Sequence, residues 1–353
     1  MPGFVLVVCA SVVRAEPASE TADRLARRWA PVFVQHVGDN DRGADRPTRI
    51  DFDGNWDATD NWVHQAELGT ALPPAAYTAP ILTATHAYLT YTLFYPRDWS
   101  RFCISLICHD NDLESVQLVV ERDEADPETG GKLIEIRTKA HHAIDRTTGE
   151  GVARTADGRP MFRVESQGHG LAPCKKDDPE CVATDGRIVY APGDRASAPP
   201  QRATGQTVRY ELLSLHTTLW PRRHLVNGRL WTEGESGPLY YEGAKRGRLG
   251  LAMGASMAQT TYAGGVRPPW ALRGPTGKRG DWFLDPANGE DYEYNPFLED
   301  LGNECRGASC KPAPKERSKA AWLFRLGAPY IALGLGVVGV AGWMRYRGGG
   351  MPF

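Results

Sequence analysis

The chain has 353 residues, and its 41 lysines and arginines nearly balance 43 aspartates and glutamates, giving a formal net charge of −2. This composition lacks the basic excess that nucleic-acid-binding proteins carry, so we expect no nucleic-acid partner. The length suffices for one large domain or two smaller ones.

The first 15 residues are predicted to be a signal peptide. A short apolar run ends at Val13-Arg14-Ala15, which has the small-x-small pattern that signal peptidase cleaves. No Lys or Arg precedes this run, so the alternative is a true start upstream of residue 1. Export would place the folded part, beginning at residue 16, outside the cytoplasm.

Short strands separated by turns are predicted to dominate the exported domain over residues 16–298. The periodicity predicts one helix at 20–29 and strands at 31–36, 84–95, 113–122, 132–139, 157–165 and 208–215. Residues 38–61 read as a long surface loop, and residues 172–198 as an irregular insertion. This pattern favours a mainly β fold, an antiparallel β-sandwich with short peripheral helices and long loops.

The C-terminal end is predicted to anchor the chain in a membrane. Residues 299–320 are polar and contain prolines, which is typical of a linker. Residues 326–344 carry no charge, and at a rise of about 1.5 Å per residue they span about 28 Å, close to the thickness of a bilayer core. We expect a single transmembrane helix over 321–345, with a buried core helix as the alternative. The tail over 346–353 would stay in the cytoplasm, leaving the bulk of the chain outside a cell membrane or envelope.

Cysteines fall into closely spaced pairs. Removal of the leader takes away Cys9 and leaves six of the seven. In an exported chain this spacing favours three local disulfides, whereas the alternative is zinc binding by the Cys-x4-Cys pairs. The predicted pairs are Cys103 with Cys108, Cys174 with Cys181, and Cys305 with Cys310.

The segment His109-Asp-Asn-Asp-Leu-Glu114 is the sharpest chemical motif. On an extended backbone Asp112 and Glu114 project from the same face, while His109 can curl back towards them. Crowded carboxylates repel each other unless a cation, a shared proton or solvent relieves them. An oxygen-rich ligand set with one imidazole suits magnesium, calcium or manganese, and zinc stays open. The alternative is a solvated acidic loop.

Two segments together resemble a known family. Phe94-Tyr-Pro-Arg-Asp98 followed by His109-x-x-Asp112-x-Glu114 is similar to the core of the necrosis- and ethylene-inducing-peptide-like cytolysins and the vacuolar-sorting-protein-sixty-two-related group. The resemblance implies a divalent cation, magnesium or calcium above all, held directly or through water by Asp98, His109, Asp112 and Glu114. His169, in the turn at 166–170, is the fifth candidate ligand. Asn111 stands where the cytolysins have a second His.

Three functions are compatible with these motifs. The first is a metal-dependent module that binds polar headgroups, of a glycan or a lipid, at a membrane surface. The second is a metal-dependent hydrolase of the phosphoesterase kind, with His169 or His142 as acid or base. The third is a structural protein with a vestigial metal site. Whether the chain is an enzyme stays open, because no second ligand set for a two-metal centre is evident.

Overall fold

The computed structural model describes ten segments of the chain: residues 16–38, 43–98, 102–103, 109–123, 125–126, 130–140, 143–223, 252–253, 269–271 and 282–304. The chain divides into two compact units, Met1–Cys310 and Lys311–Phe353, and every described residue belongs to the first. No helix in the described ranges is long and apolar enough to cross a membrane. The predicted signal peptide and the predicted transmembrane helix both lie outside those ranges.

Strands dominate the described residues, and the helices are short. The helices are α1 (Ala18–Trp29), α2 (Asn61–Leu68), α3 (Leu215–Thr218) and α4 (Pro296–Glu304). The strands are β1 (Val32–His36), β2 (Ala75–Thr83), β3 (His86–Asp98), β4 (Phe102–Cys103), β5 (His109–Arg122), β6 (Gly131–Ala140), β7 (Ala143–Thr148), β8 (Met161–Val164), β9 (Leu171–Pro173), β10 (Arg187–Gly193), β11 (Thr207–Ser214), β12 (Ala252–Met253) and β13 (Tyr292–Tyr294). The prediction of a mainly β fold with short helices is confirmed.

One large mixed sheet replaces the predicted antiparallel sandwich. Its strand order is β7-β6-β5-β3-β2-β11-β10-β1-β8-β9, with β13 paired to β2, while β4 and β12 form a separate pair. Three pairs of adjacent strands in this sheet are parallel: β1 with β8, β10 with β11, and β11 with β2. The prediction of an antiparallel sandwich was wrong. The alternation of apolar and polar residues shows which side chains of a strand share a face, but not which strands become neighbours in the sheet. β10 also lies inside the segment predicted to be irregular.

Each face of the sheet packs against its own core. Leu89, Tyr91 and Leu93 of β3 belong to one cluster, which α1 covers through Leu25 and Trp29. The intervening β3 residues Tyr88 and Phe94 belong to a second cluster, rich in tryptophan and phenylalanine: Trp220, Trp270, Trp282, Phe283 and Phe297. The central strand is therefore buried on both sides, which makes the β3–β5 pair a rigid platform for the residues at its end.

One of the three predicted disulfides is described. Cys174 and Cys181 are bonded, with their Cα atoms 6.0 Å apart. The side chains of the four other paired cysteines, Cys103, Cys108, Cys305 and Cys310, lie outside the described part of the chain. The alternative of zinc binding concerns the Cys-x4-Cys pairs at 103 and 108 and at 305 and 310, so it stays a prediction.

Loss of the Cys174–Cys181 bond is expected to destabilise the domain modestly. Replacing both cysteines by serine frees a loop of seven-residue separation, for which chain entropy predicts a loss of about 2 kcal/mol. Urea unfolding would measure it, with wild type under reducing agent as the control. An unchanged midpoint would mean that the loop is ordered by its other contacts, such as the Asp178 carboxylate accepting from the Glu180 amide at 2.9 Å.

Candidate functional site

The β3–β5 pair brings the two predicted motifs together. In the antiparallel register Asp98 lies opposite His109, Tyr95 opposite Asp112, and Leu93 opposite Glu114. Opposed residues of an antiparallel pair share a face, so Asp112 and Glu114 project on the side of the core that contains Tyr95 and Leu93. The His109 side chain lies outside the described atoms, and only its place on β5 is established.

Three predicted ligands are buried carboxylates. Asp98 is 5% exposed, Asp112 9% and Glu114 2%. Ionised carboxylates are costly to remove from water unless positive charge or hydrogen bonds compensate them. Lys139 on β6 supplies one such charge, since its Nζ lies 3.9 Å from Oε2 of Glu114 and its side chain is also buried. The end of the β3–β5 pair thus concentrates charge in a dry environment.

His169 lies at the centre of this region and is fully buried. Its Nδ1 is 2.9 Å from Oδ2 of Asp112, and its Nε2 is 3.3 Å from Oδ1 of Asp45. Burial by itself lowers the pKa of the imidazole, but the neighbouring carboxylates of Asp112 and Asp45 outweigh it and raise the pKa to about 10. Nδ1 is hydrogen-bonded to Asp112 and ties the 166–170 turn to β5, whereas Nε2 contacts Asp45 at ion-pair distance without a hydrogen bond.

Asp45 is a site residue that sequence reasoning missed. It lies in the segment predicted to be a surface loop, yet it is only 6% exposed. Besides facing His169, its carboxylate accepts from the main-chain amide of Gly38 at 2.8 Å and from that of Gln167 at 2.6 Å. No spacing rule connects position 45 with a turn more than a hundred residues later, so the local sequence holds no signal for it.

Tyr95 packs against His169. Its ring stacks on the His169 imidazole, with centroids 3.7 Å apart and planes 3° from parallel. Its hydroxyl donates to Oε1 of the buried Gln35 on β1 at 2.6 Å. Burial raises the pKa of this hydroxyl well above its ordinary value. Four neighbouring groups raise it further: Tyr190, Asp45, Asp112 and Glu114. The charges of three carboxylates, Asp45, Asp112 and Glu114, therefore act on this hydroxyl.

A second acidic group lies where the loop at 53–60 enters α2. One ligand atom from each of Asp53, Asp60 and His64 lies within 4.8 Å of the others, so these residues could hold a metal ion. Nδ1 of His64 is hydrogen-bonded to Asp53, which raises the His64 pKa, and it is 3.6 Å from Oδ1 of Asp60. This group was not predicted. The alternation of acidic and amide residues at 51, 53, 55 and 57 is the signal that could have pointed to it.

One remaining candidate cannot be placed. His142, predicted as an alternative acid or base, lies outside the described residues. Of the five predicted ligands, the structure therefore shows the side chains of four: Asp98, Asp112, Glu114 and His169. They lie at the end of the β3–β5 pair and the turn that packs on it.

Solved structures similar to this chain exist, whereas no protein-family model and no curated protein matches it. A toxin fold for microbial attack and plant defence is 16% identical, with a TM-score of 0.31, and the match covers 54% of this chain and 76% of that one. NLPPya in complex with glucosamine is 13% identical, with a TM-score of 0.28 and coverages of 54% and 75%. Necrosis and Ethylene inducing Protein 2 from the causal agent of cocoa's Witches Broom disease is 12% identical, with a TM-score of 0.29 and coverages of 54% and 73%.

This chain resembles these proteins. They are of the group that the motifs at 94–98 and 109–114 resemble, so the predicted resemblance is confirmed. The likeness is distant in both identity and TM-score, and it transfers no residue role. The roles proposed below are argued from the contacts of this chain alone.

Proposed function

We propose that the chain is an exported, membrane-anchored protein that holds a divalent cation at the end of the β3–β5 pair and uses it to bind polar headgroups. The ligands would be Asp98, His109, Asp112 and Glu114, with His169 as their partner. The observation that carries this proposal is the burial of three carboxylates towards one end of two paired strands.

The donor chemistry fits magnesium or calcium. Carboxylate oxygens are the hard ligands that both cations prefer. Since both nitrogens of His169 face carboxylates, this residue fits the role of orienting Asp112 through a hydrogen bond better than that of a direct ligand. The cation would supply the positive charge that buried carboxylates require and a centre that attracts oxygen donors.

The coordination chemistry of these cations supports headgroup binding. Magnesium and calcium commonly keep exchangeable waters, which hydroxyls or phosphates of a sugar or lipid head can displace. A hydrolase of the phosphoesterase kind is less well supported. His169, its candidate acid or base, is fully buried, and both of its ring nitrogens face carboxylates instead of a substrate. The membrane anchor, the cytoplasmic tail and export rest on the apolar runs at the two ends of the sequence.

Cation-dependent sugar binding tests the proposal. The full chain in detergent, stripped with chelator, would be titrated with glucosamine, a soluble probe that one of the similar structures contains, before and after addition of calcium or magnesium. We expect the affinity to rise at least about tenfold, equivalent to about 1.4 kcal/mol. Vesicles with glycosylated and with zwitterionic lipid heads would then distinguish a glycan from a lipid phosphate. Equal binding with and without cation would overturn the proposal.

A further inference from the structure

We propose that Asn61 and Trp62, the first two residues of α2, are positioning residues for the cation site. They contact the residues that immediately precede Asp112 and Asp98, one on each strand. This inference rests on the proposed function, since it concerns the same site, but it assigns a role to a helix that the motifs do not include.

The β3–β5 ladder needs support where the ligands begin. Pairing runs from Tyr95 with Asp112 to Arg97 with Asp110, and Pro96 and Asn111 lie between these pairs. Proline has no amide hydrogen to donate to a ladder. Asn111 has a φ of 58°, in the left-handed region, so β5 departs from extended geometry one residue before Asp112. The backbone ladder alone therefore constrains Asp112 weakly at this point.

A buried amide pair holds Asn111. The Nδ2 of Asn61 donates to Oδ1 of Asn111 at 2.7 Å, and the Nδ2 of Asn111 donates to the carbonyl of Ala58 at 2.7 Å. Asn61 is 1% exposed and Asn111 6%. Buried hydrogen bonds of this kind are costly to break, because each amide would be left unsatisfied. The pair therefore fixes the left-handed residue, and through it the direction in which Asp112 leaves the strand.

Trp62 acts on the other strand. The guanidinium of Arg97 lies 4.7 Å from the centroid of the Trp62 ring. Trp62 is 7% exposed and Arg97 is 5% exposed. A cation–π contact is strongest when it is shielded from water in this way. Arg97 directly precedes Asp98. Two consecutive residues of α2 thus contact both strands, each at the residue directly before a proposed ligand.

The test compares two buried asparagines. Asn61→Ala in the full chain is expected to weaken calcium or magnesium binding about 10- to 100-fold, the range typical of residues that orient metal ligands. Asn295→Ala is the matched control, because Asn295 is 2% exposed and donates to the carbonyls of Phe283 and Leu284. It is expected to lower stability without changing cation affinity. Calorimetric titration with the cation alone and urea unfolding in chelator would be run on each variant.

A second set of variants distinguishes the effect of the left-handed backbone at residue 111 from the effect of the Asn111 side-chain amide. Asn111→Gly keeps the left-handed conformation accessible and removes the amide, so Asn61→Ala added to it should have little further effect on affinity. Should Asn61→Ala not fold, Trp62→Leu removes the ring contact with Arg97, and Trp62→Phe is expected to restore most of the affinity that Trp62→Leu loses.

The outcomes separate the two proposals. If wild type binds the cation and Asn61→Ala binds it as tightly as Asn295→Ala does, the positioning role is wrong and the proposed function stands. If wild type binds no divalent cation at all, the proposed function fails and this inference fails with it. A loss of affinity confined to the Asn61, Asn111 and Trp62 variants supports the role.

Discussion

Replacement of Asp112 and Glu114 together by asparagine and glutamine is expected to abolish stoichiometric cation binding, with affinity falling more than about 100-fold. Loss of a residue that only orients a metal ligand typically lowers cation affinity by 10- to 100-fold. Here two proposed ligands lose their charge, so we expect a larger loss. The amides keep the shape of the carboxylates, so the sheet should still form. Elemental analysis after chelator-free purification, together with calorimetric titration, would measure the loss.

The second acidic group supplies the control for this experiment. Asp53→Asn with His64→Gln removes two of the three possible ligands of this group and changes no residue of the β3–β5 pair. We expect this variant to keep the cation that the Asp112 and Glu114 variant loses. The reverse result would assign the cation to the loop, and retention of the cation by both variants would place it at neither group.

His169→Ala is expected to lower the free energy of unfolding by about 3–5 kcal/mol, the cost of breaking a buried ion pair by removing one partner. The substitution leaves the carboxylates of Asp45 and Asp112 facing each other's charge without the imidazole between them. It also removes the ring stacked on Tyr95. Urea unfolding monitored by tryptophan fluorescence would measure the change.

His216→Ala is the matched control for that substitution. His216 also contacts an aspartate, with its Nε2 3.0 Å from Oδ2 of Asp300, but the pair is partly exposed, at 28% and 39% of the side-chain surface. Exposed pairs contribute about 1 kcal/mol or less. If both variants lost the same small amount, the buried arrangement around His169 would not be an ion pair of the proposed kind.

The positions of β3 and β5 were readable from the sequence, whereas β2, which lies next to β3, was not predicted. The alternation at 84–95 and 113–122 predicted two strands that the structure shows as β3 and β5, somewhat extended at the ends that carry Asp98 and His109. The extension matters, because it brings both chemical motifs into the paired region. Residue patterns over ten positions report burial on each face, which is why they predicted the strands so well.

Strand neighbours and loop contacts were not readable in this way. The parallel pairing of β11 with β2 joins segments more than a hundred residues apart, and β10 lies where composition predicted an irregular insertion. The segment at 172–198 is rich in Pro, Asp and Lys, yet Ile188 and Tyr190 of β10 are buried, and β10 lies between β1 and β11. A local pattern holds no information about those neighbouring strands.

The sequence by itself determined the mainly β class, the strands β3 and β5 and one disulfide, and it predicted site residues at 98, 112, 114 and 169, all of which are buried. Only the tertiary structure decided that Asp45 faces His169, that Asn61 holds Asn111, and that a separate acidic group forms at 53–64. The physical reason is the range of the interactions. Side-chain alternation is set within a strand, whereas buried charges and amides select their partners from segments that folding brings together from distant positions.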